Sequence, residues 1–159
     1  MIYKRYCRIH KTAKIGDDSD IGTPGFGFDV VDPKAKHPKY IYPLKRKRHE
    51  YFVRIEENVE IGGHCTVDRG SWRDTIIRSG TKLDSHVKVA HNVHIGRDCL
   101  LVAGCVIGGS CTIGDGVFIG INATIIQRIR IGNGSFIGAG AVVVKDVPPG
   151  VTVKGNPAI

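Results

Sequence analysis

The sequence predicts an all-β protein in which many short strands are joined by tight corners into a repeating coil. Three observations predict this fold. An aliphatic residue recurs at every sixth position, a small residue often stands four positions after it, and glycine often follows it directly. Glycine suits a chain that must turn every few residues. A helix does not explain a period of six, because at 100° per residue the apolar positions would spread over many faces.

The six-residue step runs through most of the chain. Counted in sixes from Ile77, twelve successive positions are aliphatic, namely Ile77, Leu83, Val89, Ile95, Leu101, Ile107, Ile113, Ile119, Ile125, Ile131, Ile137 and Val143. Earlier stretches keep the same step at Ile9, Ile15 and Ile21, and again at Ile55, Ile61 and Val67. These positions are the predicted core.

The slot four residues after each aliphatic position is filled almost entirely by small side chains. Because residues i and i+4 of an extended segment point to the same face, this slot also faces inward, close to a corner with less room. It contains four of the five cysteines, Cys65, Cys99, Cys105 and Cys111. We interpret these cysteines as packing groups, with metal binding or disulfide pairing as the weaker alternative.

A repeat of this kind resembles that of the hexapeptide acyltransferases. The resemblance implies a left-handed parallel β-helix with three hexapeptides in each triangular coil. Eighteen repeat units would make about six coils, and a strand spacing of ~4.8 Å gives a prism roughly 29 Å long.

We expect one domain over residues 1–159, interrupted twice. The first interruption is a long loop insertion at 24–54, and the second is a short insertion at 68–75 with the sequence DRGSWRDT. Insertions in such repeats map to surface loops, often on the binding face. After Val143 the step is lost and prolines appear, which predicts a C-terminal cap over 144–159.

The charge of the chain is concentrated in one segment. Of the 23 basic residues, seven lie in residues 34–48 without an acidic residue, which leaves 16 basic against 15 acidic residues elsewhere. This distribution argues against a nucleic-acid-binding protein. Three interpretations of the basic loop stay open: phosphate contacts to a ligand, nucleic-acid binding, or a solvated loop.

The chain shows no secretory signal and no apolar stretch approaching the ~20 residues of a membrane span. We therefore expect a cytoplasmic protein without membrane insertion.

Four strings in order carry a more specific resemblance: GFGF (25–28), TVDRG (66–70), DTIIRSGTKLD (74–84) and VKVAHNVHIG (87–96). They are similar to the UDP-3-O-acylglucosamine N-acyltransferase family and to related nucleotide-amino-sugar N-acetyltransferases. The resemblance implies a homotrimer with active sites between adjacent prisms. It also implies that His91 is the catalytic base and Asp84 its supporting carboxylate, with substrate contacts from Phe26, Phe28, Asp68, Arg69 and Asn92.

These residue types suit amide formation from a thioester. The attacking amine must lose a proton, and imidazole titrates near working pH, so a histidine can act as general base for roughly 10² to 10⁴-fold. A carboxylate on the other ring nitrogen would fix the tautomer.

Gly109 lies eighteen residues, or one coil, beyond His91. Its backbone N–H could stabilise the tetrahedral oxyanion, an interaction worth on the order of 3 kcal/mol. The alternative is that Gly109 is only a turn glycine.

The C-terminal string AVVVKDVPPGVTVKGNPAI resembles the ending of coenzyme A-dependent acetyltransferases of this fold. The resemblance implies that Lys145, Lys154 and Asn156 border coenzyme A. We therefore expect acetyl-CoA, or another acyl thioester, as donor, a nucleotide-linked amino sugar as acceptor, and no metal.

Two other functions remain open. His86 and His91 stand five residues apart, as do paired ligands of the γ-class carbonic anhydrases on this fold, so a metal hydratase is one alternative. A non-catalytic β-helix scaffold is the other. If the chain is a scaffold or an acyltransferase, His64, His86 and His94 are expected on the surface.

Overall fold

The computed structural model describes residues 4–30 and 44–159. A single 3₁₀ turn at Lys4–Tyr6 precedes the strands. In chain order the strands are β1 (Cys7–Ile9), β2 (Lys14–Ile15), β3 (Asp20–Pro24), β4 (Phe28–Val30), β5 (Leu44–Arg46), β6 (Val53–Ile55), β7 (Glu60–Ile61), β8 (Thr66–Arg69), β9 (Thr75–Ile77), β10 (Lys82–Leu83), β11 (Lys88–Val89), β12 (His94–Ile95), β13 (Leu100–Leu101), β14 (Val106–Ile107), β15 (Thr112–Ile113), β16 (Phe118–Ile119), β17 (Thr124–Ile125), β18 (Arg130–Ile131), β19 (Phe136–Ile137), β20 (Val142–Val143) and β21 (Thr152–Val153).

Three parallel sheets form the faces of a prism. Face 1 contains β1, β6, β9, β12, β15 and β18; face 2 contains β2, β7, β10, β13, β16, β19 and β21; and face 3 contains β3, β8, β11, β14, β17 and β20. The chain passes from face 1 to face 2 to face 3 in each coil. This arrangement, about six coils of hexapeptide repeats, confirms the predicted fold class.

Residues eighteen apart lie side by side on neighbouring coils, as in the pairs Lys82–Leu100 and Leu100–Phe118. In the two-residue strands of the prism the second residue points inward and the first outward, which is the period-two alternation of extended backbone. The two corners that matter for the site are named by the faces they join. Edge 2–3 follows face 2, and edge 3–1 follows face 3.

The core lies where the six-residue step predicts it. All twelve aliphatic positions from Ile77 to Val143 are buried, and so is the small slot. Four cysteines of that slot are buried free thiols, as the packing interpretation requires. Burial raises the pKa of each of these thiols, and the pKa of Cys105 reaches about 12.

The C-terminal segment continues the coil further than the sequence predicted. Val147 bridges to Ile131, and β21 adds a seventh strand to face 2 beside β19. Val147 and Val153 are buried and stand six residues apart. The repeat therefore resumes at Val147, four residues after Val143 instead of six. The segment 144–159 thus covers the end of the prism in part by continuing the β-helix.

The long insertion leaves the prism at a β-bulge in β3. The register against β8 shifts between Ile21 and Thr23, and Gly22 between them has a φ of +85°, a conformation that favours glycine. The insertion returns as an antiparallel pair of β4 and β5. Most of the basic segment 34–48 falls in 31–43, outside the described residues.

Within residues 4–30 and 44–159, no helix has the length and apolar character needed to cross a bilayer.

Candidate active site

A cleft of about 280 Å³ lies along edge 3–1. The long insertion forms one wall and the short insertion forms the other. Its lining residues are Phe26, Gly27, Phe28, Lys47, Ser71, Trp72, His91, Asn92, Gly109, Ser110, Gln127 and Arg128. Three of the residues singled out by the sequence, His91, Asn92 and Gly109, meet at its floor.

His91 follows β11 at edge 3–1 and is half-buried. Its ring lies between two glycines. A Cβ on Gly109 would stand 2.6 Å from His91 Cε1, and a Cβ on Gly25 would stand 2.6 Å from His91 Cδ2. Real Cβ atoms essentially never approach another atom this closely, so the ring fits only because both positions lack a side chain.

Gly109 lies one coil beyond His91, as predicted from the eighteen-residue spacing. The N–H groups on either side of it are used, since Gly108 N–H donates to Ile125 and Ser110 N–H donates to the carbonyl of His91. Among the described residues, no acceptor for the Gly109 N–H is found. A free backbone donor therefore lies against the imidazole.

Asn92 joins the short insertion to His91. It is buried, has a φ of +61°, and its Oδ1 accepts from Ser71 N at 2.8 Å and Trp72 N at 3.3 Å. These two donors fix the amide, so Nδ2 is the atom that reaches Ser71 Oγ at 3.1 Å and His91 Nδ1 at 3.0 Å. Asn92 was predicted to contact substrate, but its side chain is fully used within the protein.

The Asn92 amide also sets the tautomer of His91 in the single chain. Because Asn92 Nδ2 donates to His91 Nδ1, the neutral ring holds its own proton on Nε2. In this form the imidazole offers a donor at Nε2. A base that acts through Nε2 needs an acceptor group at Nδ1.

Asp84 does not lie beside His91 within one chain. It follows β10 at edge 2–3, one prism face away, and it is exposed. Its Oδ1 accepts from Ser85 N at 2.7 Å. It lines a different depression, together with Leu83, Leu100 and Val102.

The predicted substrate-binding residues divide into two groups. Phe26 and Phe28 lie at the mouth of the cleft, with ring centroids 5.0 Å apart and with the Arg46 guanidinium 5.2 Å from the Phe28 centroid. Phe26 is 83% exposed and is therefore free to meet a ligand.

Asp68 and Arg69 hold the insertion instead. Asp68 is buried, and its Oδ1 accepts from Lys88 Nζ at 2.6 Å and Thr23 Oγ1 at 2.9 Å. Arg69 donates from Nε to the His49 carbonyl at 2.6 Å and stacks on Tyr6 at 3.9 Å. The structure thus gives both residues a role in packing the loop against the prism, and neither lines the cleft.

The three residues predicted to border coenzyme A lie on both edges. Lys145 follows β20 at edge 3–1, in the same column as His91 and Gly109. Lys154 follows β21 at edge 2–3. Asn156 lies in the turn beyond Lys154 and is exposed.

His49 belongs to the site, although the sequence did not point to it. It lies in the long insertion, is buried, and its ring centroid is 5.3 Å from that of His91. Burial, together with the neighbouring His91, lowers the pKa of His49. The six-residue period does not extend into an insertion and so cannot place His49. The GFGF string was the one signal that this insertion folds back over the coil.

The remaining histidines lie elsewhere. His64 and His86 are exposed on edge 2–3 and stack with ring centroids 5.0 Å apart. His94 was expected on the surface but is half-buried, and burial and Arg73 lower its pKa. In the part of the chain that the structure describes, no group of three or more potential metal ligands occurs.

Comparison with known proteins gives matches that cover most of the chain. The model of the family described as "Bacterial transferase hexapeptide (six repeats)" matches residues 74–109 and 110–145. UDP-3-O-acylglucosamine N-acyltransferases from Methylobacterium nodulans and Methylorubrum populi are 43% and 42% identical over 151 residues, or 94% of this chain. The chain spans 38% of the length of each of these relatives.

Solved structures agree on the fold. The crystal structure of a UDP-N-acetylglucosamine acyltransferase from Bacteroides fragilis 9343 superimposes with a TM-score of 0.79 at 25% identity. The match covers 97% of this chain and 55% of that one.

Replacing Asn92 is expected to loosen the short insertion. Asn92→Ala removes the acceptor for two backbone N–H groups and should lower the free energy of unfolding by about 1–3 kcal/mol. Urea unfolding measures the loss, and hydrogen exchange at Ser71 and Trp72 locates it. Asn122→Ala is the matched control, since Asn122 has a similar φ of +55° but is exposed; equal losses in both variants would contradict the capping role.

Proposed function

We propose that this chain, which matches the bacterial transferase hexapeptide family over residues 74–109 and 110–145, is an N-acyltransferase. It would act on a nucleotide-linked amino sugar with an acyl thioester as donor. The amine nitrogen attacks the thioester carbonyl while His91 takes a proton from the amine. As the C–S bond breaks, the protonated His91 returns this proton to the sulfur, which leaves as a thiol. The products are an amide and the free thiol. In this mechanism the Gly109 N–H donates to the oxyanion of the tetrahedral intermediate.

One observation supports a site shared between copies of the chain. The residues that the mechanism needs are divided between the two edges of face 3. His91, Gly109 and Lys145 lie on edge 3–1, while Asp84 and Lys154 lie on edge 2–3. A single prism keeps the two sets one face apart, so a second copy must supply one of them.

A homotrimer would satisfy this requirement. If face 3 turns toward a three-fold axis, edge 3–1 of one copy meets edge 2–3 of the next in a closed ring. Large aliphatic side chains are exposed along these surfaces: Val106 on face 3, Ile121 on edge 2–3, and Ile126 and Val144 on edge 3–1. Their burial against a neighbouring copy would stabilise the assembly.

The tautomer of His91 supports the same proposal. In the single chain Asn92 Nδ2 holds the ring proton on Nε2, where it blocks a base that acts through that atom. A carboxylate beside Nδ1 could accept from both Asn92 Nδ2 and the ring N–H. Asp84 of an adjacent copy would thus draw the proton to Nδ1 and leave Nε2 free to act.

We take acetyl-CoA as the donor. The C-terminal string AVVVKDVPPGVTVKGNPAI resembles the ending of coenzyme A-dependent acetyltransferases of this fold, which supports a short acyl group carried by coenzyme A. The coenzyme would run along edge 3–1 from Gly109 toward Lys145, with Lys154 and Asn156 contributed by edge 2–3 of the adjacent copy. The ammonium groups of Lys145 and Lys154 would pair with its phosphates, and the Asn156 amide could donate a hydrogen bond to them. We propose further that the protein is cytoplasmic, because acetyl-CoA and unpaired cysteine thiols are typical of that compartment.

The activity is tested by a matrix of donors and acceptors. Acetyl-CoA and longer acyl thioesters are incubated with UDP- and dTDP-linked amino sugars, and thiol release is followed. We expect the highest kcat/KM for acetyl-CoA with one of the nucleotide-linked sugars. Thiol release from no pair, together with stoichiometric zinc in the purified protein, would instead favour a metal hydratase of the γ-carbonic-anhydrase type.

Gly109→Ala is expected to abolish most of the transfer without unfolding the chain. The new methyl group would meet His91 Cε1 at 2.6 Å, so the ring must shift away from the reacting atoms. A loss of roughly 10²-fold or more in kcat is expected. Gly116→Ala is the control: its φ of +64° makes it costly, but nothing lies within 4 Å, so it should lower the melting temperature and leave kcat unchanged.

A shared site predicts that two inactive variants complement each other. His91→Ala and Asp84→Asn should each fold and each lose most activity. When the two chains are mixed and reassembled at random, about a quarter of the sites combine an intact His91 with an intact Asp84 of the next copy. Activity near that fraction of the wild type is expected, measured by thiol release. If both groups acted from one chain, mixing would restore nothing.

A further inference from the structure

His49 presents a buried nitrogen without a hydrogen-bond partner. Its side chain is buried, with a residue exposure of 4%. Its Nε2 is the one buried side-chain nitrogen or oxygen among the described residues that lacks a partner. A buried polar atom left unsatisfied destabilises the folded protein, so its presence needs a physical explanation.

The other ring nitrogen fixes which form of His49 is present. His49 Nδ1 lies 3.0 Å from the Lys47 carbonyl oxygen. A carbonyl can only accept, so Nδ1 carries the ring proton and Nε2 carries a lone pair. The ring is further held by its own backbone, because Arg69 donates to the His49 carbonyl at 2.6 Å.

Gly25 brings this lone pair up to His91. The point where a Gly25 Cβ would stand is 2.9 Å from His49 Nε2 and 2.6 Å from His91 Cδ2. A side chain at Gly25 would therefore crowd both His49 Nε2 and the Cδ2 edge of His91, and glycine leaves the two rings side by side. The two centroids are 5.3 Å apart with the planes inclined at 44°.

We propose that His49 is a positioning residue for His91: a neutral imidazole whose acceptor nitrogen stabilises the positive charge that His91 gains when it takes a proton, at a spacing set by Gly25. The inference rests on the proposed function, because that function makes His91 the base that becomes positively charged. A fixed dipole aimed at developing charge in a buried place needs no reorganisation during the reaction.

The charged groups around His49 and His91 do not supply the stabilisation of protonated His91 that we assign to the His49 lone pair. Behind His49 lie Arg69 and the Asp68 carboxylate, and that carboxylate is paired with Lys88. In the cleft Lys47 and Arg128 face His91; both are positive and oppose a charge on its ring. The lone pair of His49 Nε2 favours the protonated ring without adding a charge of its own, since burial lowers the pKa of His49.

The test measures the titration of His91 directly. Protein with ¹³C-labelled histidine is titrated and the His91 Cε1–H resonance is followed in the wild type, His49→Phe and Gly25→Ala. His49→Phe keeps a ring but removes the lone pair, and Gly25→Ala forces the two rings apart. In both variants we expect the pKa of His91 to fall by ~0.5 unit or more, because the protonated form loses its stabilising neighbour.

Activity should follow with a defined sign. A base must be unprotonated to work, so a lower His91 pKa moves the acid limb of the kcat profile to lower pH. A base weakened by about 0.5 pKa unit loses at most about threefold in rate, so kcat at the plateau should fall by about two- to threefold with KM unchanged. His49→Gln, which keeps an acceptor oxygen, should restore part of both effects.

Gly27→Ala is the control for Gly25→Ala. A Cβ at Gly27 would lie 3.4 Å from His49 Cε1 and 3.6 Å from His49 Nε2, which is ordinary contact, so the pKa of His91 should stay at its wild-type value. A His91 pKa that rises or stays fixed in folded His49→Phe and Gly25→Ala would overturn the inference. The NMR titration is read without any substrate, so it stands even if the chain proves not to be an acyltransferase.

Discussion

The eighteen-residue register of the coils is the constraint on which the rest of the molecule depends. Each strand is only two to five residues long, and a strand that short gains little from its own hydrogen bonds. Stability comes from stacking, because each inward aliphatic residue packs on its equivalents one coil above and below. The same register aligns the outward residues in columns, and this is how Gly109 comes to lie against His91.

The two insertions provide the walls of the cleft, which the stacked columns of outward residues cannot form. A bare prism edge is convex and would leave His91 open to solvent. The two insertions lie on either side of His91 and turn that edge into a cleft. The buried amide of Asn92 holds the short insertion in place, and Asp68 and Arg69 pack the long insertion against the prism. Repeats thus determine where the imidazole stands, while the two interruptions determine what surrounds it.

The sequence predicted the coil well and the surroundings of the site only in part. A strict period of six locates every core residue from Ile77 to Val143, and it also locates Gly109 relative to His91. It does not reach Val147 and Val153, because one four-residue step breaks the count before the repeat resumes. The family resemblance implies Asp84 as a partner of His91, but within one chain a prism face separates the two residues. His49 lies in an insertion, where tertiary contacts alone decide which side chain reaches the cleft.

The stacking of whole coils also limits how the length of such a chain can vary. Loss or gain of eighteen residues would remove or add one complete coil and keep every remaining side chain in its column. Loss or gain of six or twelve residues would keep the core positions inward but move all following residues to a different face. A change that is not a multiple of six would turn core positions outward as well. Extra chain can otherwise be accepted only at corners, as in the two insertions of this protein. Length variation among proteins of this architecture should therefore occur in whole turns or at bends.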